Sequence, residues 1–319
     1  YRIDHLAPIY VPTGLTLDLN NSIIKLNSFI GNSALILSLN NTFDSHVING
    51  IIEGDYFSHD YTNSTNNSEW VNGISISAYS KYSSFENLTI KNITGYGATN
   101  GSSNSRDGSL SYTFTNPISI GNTFTLGDID ITTGNDIPSN YRTTCSFKDI
   151  SNFLPYGYLF VGIYLGYQGN PCKTWNTIYH FYDKDKKYIK SISGYLYRKV
   201  KIPANSHYLR VTILSTDFPT NLSIQLFRIP INCSFKNILF NNCRAIGMAP
   251  QAMQNMLVEK CEFTNCGQAL ANCAFDAEDG WDQMQDATFR ELNFHDNPNN
   301  EFLTAAGHNF IIENMVNGK

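Results

Sequence analysis

The feature that most constrains this chain is a short text that recurs along it. Phe85-Glu-Asn-Leu-Thr-Ile-Lys-Asn, Phe235-Lys-Asn-Ile-Leu-Phe-Asn-Asn and Phe289-Arg-Glu-Leu-Asn-Phe-His-Asp share an apolar start, an alternation and a polar turn. Phe310-Ile-Ile-Glu-Asn continues the series, and Met256-Leu-Val-Glu-Lys-Cys-Glu-Phe follows it more loosely. Phe235 to Met256 and Phe289 to Phe310 both span 21 positions. Alternation of this kind marks strands rather than helices. A unit near 21 residues therefore predicts a solenoid, each coil burying its inward side chains against the coils on either side. The Leu-x-x-Leu-x-Leu pattern of leucine-rich repeats is missing.

The N-terminal text fits the same scheme. Leu15, Leu17 and Leu19 alternate after the turn Pro12-Thr13-Gly14, and Ile24 and Leu26 follow. Ala34 to Leu39, Val47 to Gly54, and Ile74 with Ile76 continue it. Two spacings break the rule. Phe85 to Phe235 is 150 positions, far more than one coil. Between them lie longer alternating runs, among them Ser111 to Thr115, Thr123 to Leu126, Tyr158 to Leu165, Thr177 to Tyr182, Tyr208 to Ile213 and Leu222 to Leu226. Turn signals such as Asp183-Lys-Asp-Lys separate them, which reads as an antiparallel sandwich. The second break is Met256 to Phe289, 33 positions.

The expected architecture is all-β: a right-handed parallel β-helix with an inserted, jelly-roll-like antiparallel β-sandwich. Residues 1–108 form the first part of the helix and 109–231 the insert, a candidate carbohydrate-binding module. Residues 232–319 continue the helix. Tyr1 is not an initiator Met, and Phe310 to Lys319 reads as the start of another strand, so the chain reads as a trimmed fragment.

Charged residues are 15% of the chain and the net charge is −5. No basic patch stands out, so nucleic acid is not an expected partner. No apolar run approaches the roughly 18 residues of a membrane span. Seven cysteines are an odd number, and none forms a Cys-x-x-Cys pair. A full disulfide framework and a zinc site are therefore not expected, and most cysteines read as small core residues.

The long coil carries the densest chemistry. Asp276, Glu278, Asp279 and Asp282 place four carboxylates within seven residues, beside Trp281. In extended chain, residues i and i+2 share a face roughly 6.5–7 Å apart. Asp276 and Glu278 fit the separation of an inverting glycosidase, in which one carboxylic acid protonates the leaving oxygen and the other activates water. Trp281 would offer its apolar face to a sugar ring. The plainer alternatives are a solvated acidic turn and a Ca²⁺ clamp built from oxygen ligands. Arg290, His295, Asp296, Glu301 and His308 follow in the next coils, with Glu301 23 positions after Glu278. Of these, Arg290, Glu301 and His308 are the expected substrate contacts. A smaller extension, Asp55 to Asn72, contains His59, Asp60, Glu69 and Trp70, with Asp55, His59 and Asp60 as secondary candidates. There is no Gly-x-Ser-x-Gly elbow, no Walker A loop, no dinucleotide fingerprint and no His-Glu-x-x-His.

Tyr10-Val-Pro-Thr-Gly-Leu-Thr-Leu-Asp-Leu-Asn-Asn-Ser-Ile-Ile-Lys-Leu resembles the first coils of pectate-lyase-like and polygalacturonase-like β-helix proteins. Ile48-Asn-Gly-Ile-Ile-Glu-Gly is similar to the Gly-x-Ile-x-Gly turn of that superfamily, and Phe275-Asp-Ala-Glu-Asp-Gly-Trp-Asp-Gln-Met-Gln-Asp resembles β-helix proteins from phage tails and prophages of Gram-positive bacteria. Phe181-Tyr-Asp and Lys201-Ile-Pro-Ala-Asn, with Arg210-Val-Thr, resemble sandwich modules of phage and cell-surface proteins. The resemblance implies a superfamily that cleaves or binds polysaccharides along the side of the helix, with phage members acting as trimers. The Asn-Thr-Asp, Asp-Asp, Gly-His-Gly and Arg-Ile-Lys motifs of polygalacturonases are missing, which argues against pectin hydrolysis.

The expected function is polysaccharide degradation, extracellular or virion-associated, by a glycoside hydrolase or a lyase. A lyase would need a cation or an arginine to acidify the proton beside a uronate carboxylate, and Arg290 is the nearest. No cofactor is required, with Ca²⁺ as the alternative ligand, and a homotrimer is the implied assembly. The rival is a non-enzymatic receptor-binding or adhesin-like protein.

Overall fold

The computed structural model of the chain describes residues 1–4, 8–63, 68–77, 80–100, 118–162, 172–196, 198–220, 222–225, 230–251, 253–269, 273–277, 284–304 and 309–318. It is nearly all β, with 54% strand and 3% helix. Two compact units divide it: Tyr1–Ser105 with Arg228–Lys319, and Arg106–Phe227.

In the first unit the chain runs repeatedly through two long parallel sheets, and a short third parallel ladder pairs Met253–Gln254 with Met284–Gln285. Among the described residues one sheet has twelve strands and the other seven. His46–Glu53 lies in the larger sheet, Trp70–Ser77 in the smaller, Ser84–Lys91 in the larger and Tyr96–Asn100 in the smaller. Ser234–Asn241 then pairs with Ser84–Lys91, aligning Phe235 with Phe85. Phe235 in turn aligns with Val258, Val258 with Phe289, and Phe289 with Ile312. The step from Phe235 to Val258 and from Phe289 to Ile312 is thus 23 positions, two more than the matching letters suggest.

The period is set by where the backbone turns. Asp44, Tyr82, Asn232, Asn255, Asp286 and Asn309 all have positive φ near 55°. Five residues after each comes a second left-handed residue: Asn49, Asn87, Asn237, Lys260, Glu291 and Asn314. Five further on, Asn92, Asn242, Asn265 and Asp296 repeat it. Asn and Asp tolerate this conformation best after glycine, which explains the Asn-rich text. The Asn side chains also bond between strands: Asn237 Nδ2 donates to Asn87 Oδ1 at 2.8 Å and Asn255 Nδ2 to Asn232 Oδ1 at 2.6 Å.

Between the turns, alternate side chains point inward and stack on their equivalents. Phe240, Phe263 and Phe294 form a ladder with centroids 4.9 and 5.0 Å apart, and Phe275 stacks on Phe302 at 5.0 Å. Full burial of each such ring contributes about 1.5–3 kcal/mol. Two glycines of the smaller sheet sit where neighbouring strands approach too closely for a side chain. A Cβ on Gly97 would lie 2.4 Å from the Gly247 carbonyl oxygen, and one on Gly247 2.6 Å from Phe263. The seven cysteines are free and buried, as small core residues should be. Burial pushes the Cys145 and Cys233 thiols up to about 11 and Cys261 up to about 12.

The outer face of the larger sheet is polar. Glu86, Lys236, Glu259, Arg290 and Glu313 align in one column of alternating sign. The Glu86–Lys236 and Glu259–Arg290 pairs are closed at 3.7 and 2.6 Å.

The second unit is antiparallel. Its largest sheet contains Phe124–Leu126, Thr143–Cys145, Tyr208–Ile213, Asn176–Tyr182 and Tyr188–Tyr195, with Lys148–Asp149 beside Tyr208–Ile213. A four-stranded sheet holds Ile118–Ser119, Ser223–Gln225, Tyr158–Gly162 and Val200–Lys201. The run Ser111 to Thr115 lies outside the described residues.

Candidate functional site

Asp276 sits in Cys273–Ala277, a strand of the smaller parallel sheet in which every residue is buried. Its backbone aligns with Leu303 of the next strand. Phe275 points into the interior core, against Phe263, Phe289 and Phe302. Alternation along the strand turns Asp276 to the opposite face, where it is 6% exposed.

Ala249, set beside Asp276 because Met248 pairs with Phe275, belongs to a second apolar cluster separate from the interior core. It contains Tyr96, Ala245, Ile246, Ala249 and Cys273, with the half-buried Trp70 packed against it. Met248, between Ile246 and Ala249, belongs to the interior core instead, which fixes the two faces. The Trp70 and Tyr96 rings meet edge to face at 5.8 Å. The Tyr96 hydroxyl donates to Glu69, and Asn72 Oδ1 accepts from the Tyr96 backbone N–H at 3.1 Å.

The other expected site residues lie in several places. Glu278, Asp279, Trp281, Asp282 and His308 lie outside the described residues. Arg290 is in the larger sheet, not in the sheet of Asp276. Its Nε and Nη2 both donate to Glu259 Oε1, at 2.8 and 2.6 Å. Glu301 stands beside Ala274, because Cys273 pairs with Asn300 and Phe275 with Phe302. The step here is 27 positions rather than 23, and the Glu301 carboxylate accepts from the Asn317 amide. His295 Nδ1 and Nε2 lie 2.8 Å from Asp296 and 3.0 Å from Glu262, and these bonds hold its pKa above the ordinary value. Among the described residues no group of three or more His, Cys, Asp or Glu could hold a metal ion.

The described residues of the extension carry a hydrogen-bonded network centred on His59. His59 Nδ1 lies 2.7 Å from Asp55 Oδ2 and His59 Nε2 lies 2.9 Å from Ser68 Oγ. Thr94 Oγ1 donates to Asp55 Oδ1 at 2.7 Å. All four residues are buried. Phe29 and Tyr61 meet the imidazole edge-on, with centroids 5.0 and 4.8 Å away. Asp60 stays outside this network and caps Thr62, whose N–H and hydroxyl both donate to it. Further contacts tie the extension to later connections between strands. The Tyr56 hydroxyl bonds Gln268 Oε1 at 2.5 Å, and the Arg244 guanidinium lies 4.7 Å from the Tyr61 ring centroid. Phe57 is stacked on Tyr56 at 4.7 Å and stays 75% exposed. Asp55 and His59 are secondary candidates in the sequence, and no motif singles out Ser68 or Thr94. The one available signal was the Asp-x-x-x-His spacing inside a turn that should otherwise be short.

Among the described residues no helix is long and apolar enough to cross a membrane. Compared with models of known protein families and with curated proteins, the sequence matches none.

Proposed function

We propose that the chain is a right-handed parallel β-helix of the pectate-lyase-like kind, interrupted by an antiparallel sandwich. We further propose that it degrades a cell-surface or extracellular polysaccharide as a glycoside hydrolase. One observation carries this reading: a single rigid sheet bears the aromatic pair Trp70 and Tyr96 and, on a later strand of the same face, the carboxyl of Asp276. Aromatic rings match the apolar faces of sugars, and few other ligand classes ask for rings and carboxyls together along an extended face.

In this reading Asp276 and either Asp279 or Glu278 act as the acid and base pair. One protonates the glycosidic oxygen while the other removes a proton from the attacking water. Trp281 supports a sugar ring, and Glu301 and His308 contact the substrate. Arg290, committed to Glu259, is a poor lyase electrophile, which favours hydrolysis. A phage-tail or extracellular setting and a homotrimer accompany the proposal, and Ca²⁺ is the alternative ligand of the acid turn.

A non-enzymatic glycan receptor is the second reading, favoured by the exposed Phe57 on Tyr56. The test is product analysis on a panel of bacterial and plant polysaccharides. New reducing ends without absorbance near 235 nm support hydrolysis. Unsaturated products would replace the hydrolase by a lyase. Binding without any cleavage would leave the receptor.

A further inference from the structure

We infer that Asp55, His59 and Ser68 form a catalytic triad that hydrolyses carboxylic esters, with O-acyl groups on a glycan as the substrate class. The choice of a glycan as carrier rests on the polysaccharide reading above; the acyl-transfer chemistry does not.

The three side chains have the relationship that acyl transfer requires. The imidazole bridges a carboxylate and a hydroxyl, with Nδ1 2.7 Å from Asp55 Oδ2 and Nε2 2.9 Å from Ser68 Oγ. Such a constellation is recognised by geometry rather than by chain position. With Asp55 accepting from Nδ1–H, the neutral ring presents a lone pair on Nε2 to the serine hydroxyl. The second carboxylate oxygen is held by Thr94 Oγ1 at 2.7 Å, so the Asp55 carboxyl is fixed at both ends. Phe29 and Tyr61 fix the ring plane. A third, independent observation is the backbone of Ser68. Its φ is +59°, outside the regular left-handed turn positions that Asn and Asp occupy. A non-glycine residue in this region is strained, and such residues are found disproportionately at active sites. Strained backbone at the nucleophile also marks the elbow of serine hydrolases.

The reaction balances on these groups alone. Ser68 Oγ attacks the ester carbonyl carbon as His59 Nε2 takes the hydroxyl proton. The tetrahedral intermediate collapses, the C–O bond to the alcohol breaks, and the imidazolium returns its proton to the departing oxygen. Water then attacks the acyl-serine, giving its proton to Nε2. Breakdown releases the carboxylic acid and restores the serine hydroxyl with that proton. Asp55 carries no proton in either half and stabilises the imidazolium. The glycan carrier follows from what lies next to Ser68. Glu69 binds the Tyr96 hydroxyl and Trp70 packs on Tyr96, so a ring docked there would bring its acyl substituents towards the serine.

Ser68 is enclosed, and a reactive probe reads access to its Oγ directly. The full chain is treated with a fluorophosphonate, with intact mass and peptide mapping as readouts, alongside hydrolysis of p-nitrophenyl acetate and release of acetate from O-acetylated glycans. Melting is followed for wild type, Ser68→Ala and His59→Gln. The expected result is one probe per chain on Ser68, lost in both variants. Ester hydrolysis should fall about 10³-fold or more in variants that stay folded. No probe on the folded wild type, or labelling that persists in Ser68→Ala, would overturn the triad. A fall in melting temperature in the variants, with no labelling of wild type, would identify the trio as a brace and equally overturn it. Hydrolysis of the simple ester without glycan deacetylation would support the triad and overturn the glycan as carrier.

Discussion

The rings of Phe85 and Phe235 stack 5.7 Å apart at 21°, although 150 positions separate them in the chain. The backbone follows suit, with seven register pairs between Ser84–Lys91 and Ser234–Asn241. These two strands are neighbours in the sheet, and the stretch inserted between them falls after Asn100, whose strand still belongs to the smaller parallel sheet, and before Ile231. The next pass shows how short that join can be: Pro250, the partner of Asn100, is followed after three residues by Gln254, the partner of Ile231.

Replacing residues 101–230 by a three-residue linker should therefore leave the parallel unit folded. The shortened chain is expected to keep a β-rich circular dichroism spectrum and one cooperative melting transition. Loss of cooperativity would mean that the sheets depend on the insert.

The repeated text was legible because inward positions are apolar and most left-handed turn positions are Asn or Asp. The exact step was not. Met256 looks like the counterpart of Phe235, but it follows a left-handed Asn255 just as Cys233 follows Asn232. The counterpart of Phe235 is Val258, because the turn and not the largest side chain sets the register. The acid turn was visible as composition, whereas the Asp55–His59–Ser68 contact was not. Its members are 4 and 9 positions apart in an irregular segment, with no periodicity to align them.

The close approach at Gly97 and Gly247 supplies a packing test. A methyl at Gly97 or Gly247 would meet backbone oxygen at 2.4 and 2.8 Å, atoms that cannot rotate away. Gly97→Ala and Gly247→Ala are each expected to destabilise the parallel unit by about 1–3 kcal/mol. Urea unfolding would register this as a lower midpoint, and an unchanged midpoint would show that the strands can move apart.

Tyr82 offers the opposite sign. It holds φ +55° at a turn where other passes use Asn or Asp, a poor place for a bulky residue. Its ring is half-exposed against Phe43. Tyr82→Asn should therefore stabilise the fold by about 1 kcal/mol, the typical cost of left-handed backbone for such a side chain. Thermal melting of the two proteins checks it.

His180 makes the antiparallel unit sensitive to acid. The buried ring bonds Ser191 Oγ at 2.7 Å and Thr212 Oγ1 at 3.0 Å, and burial depresses its pKa to about 4. An unfolded histidine titrates near 6.5, so between about 6.5 and 4 the unfolded chain binds the extra proton. Stability from this group is full above about pH 6.5 and is lost as pH falls towards 4, by about 3 kcal/mol in all. His180→Gln should flatten that part of the stability profile, measured by urea unfolding at a series of pH values.

The most direct test of the polysaccharide reading is reducing-end release by wild type and Asp276→Asn on whichever glycan the panel identifies. The exchange is isosteric, so the buried position should keep its packing and the melting temperature should change little. The account predicts a loss of about 10²–10⁴-fold in turnover with glycan binding retained, the scale of a lost general acid or base. Full activity in the folded Asp276→Asn protein would contradict it.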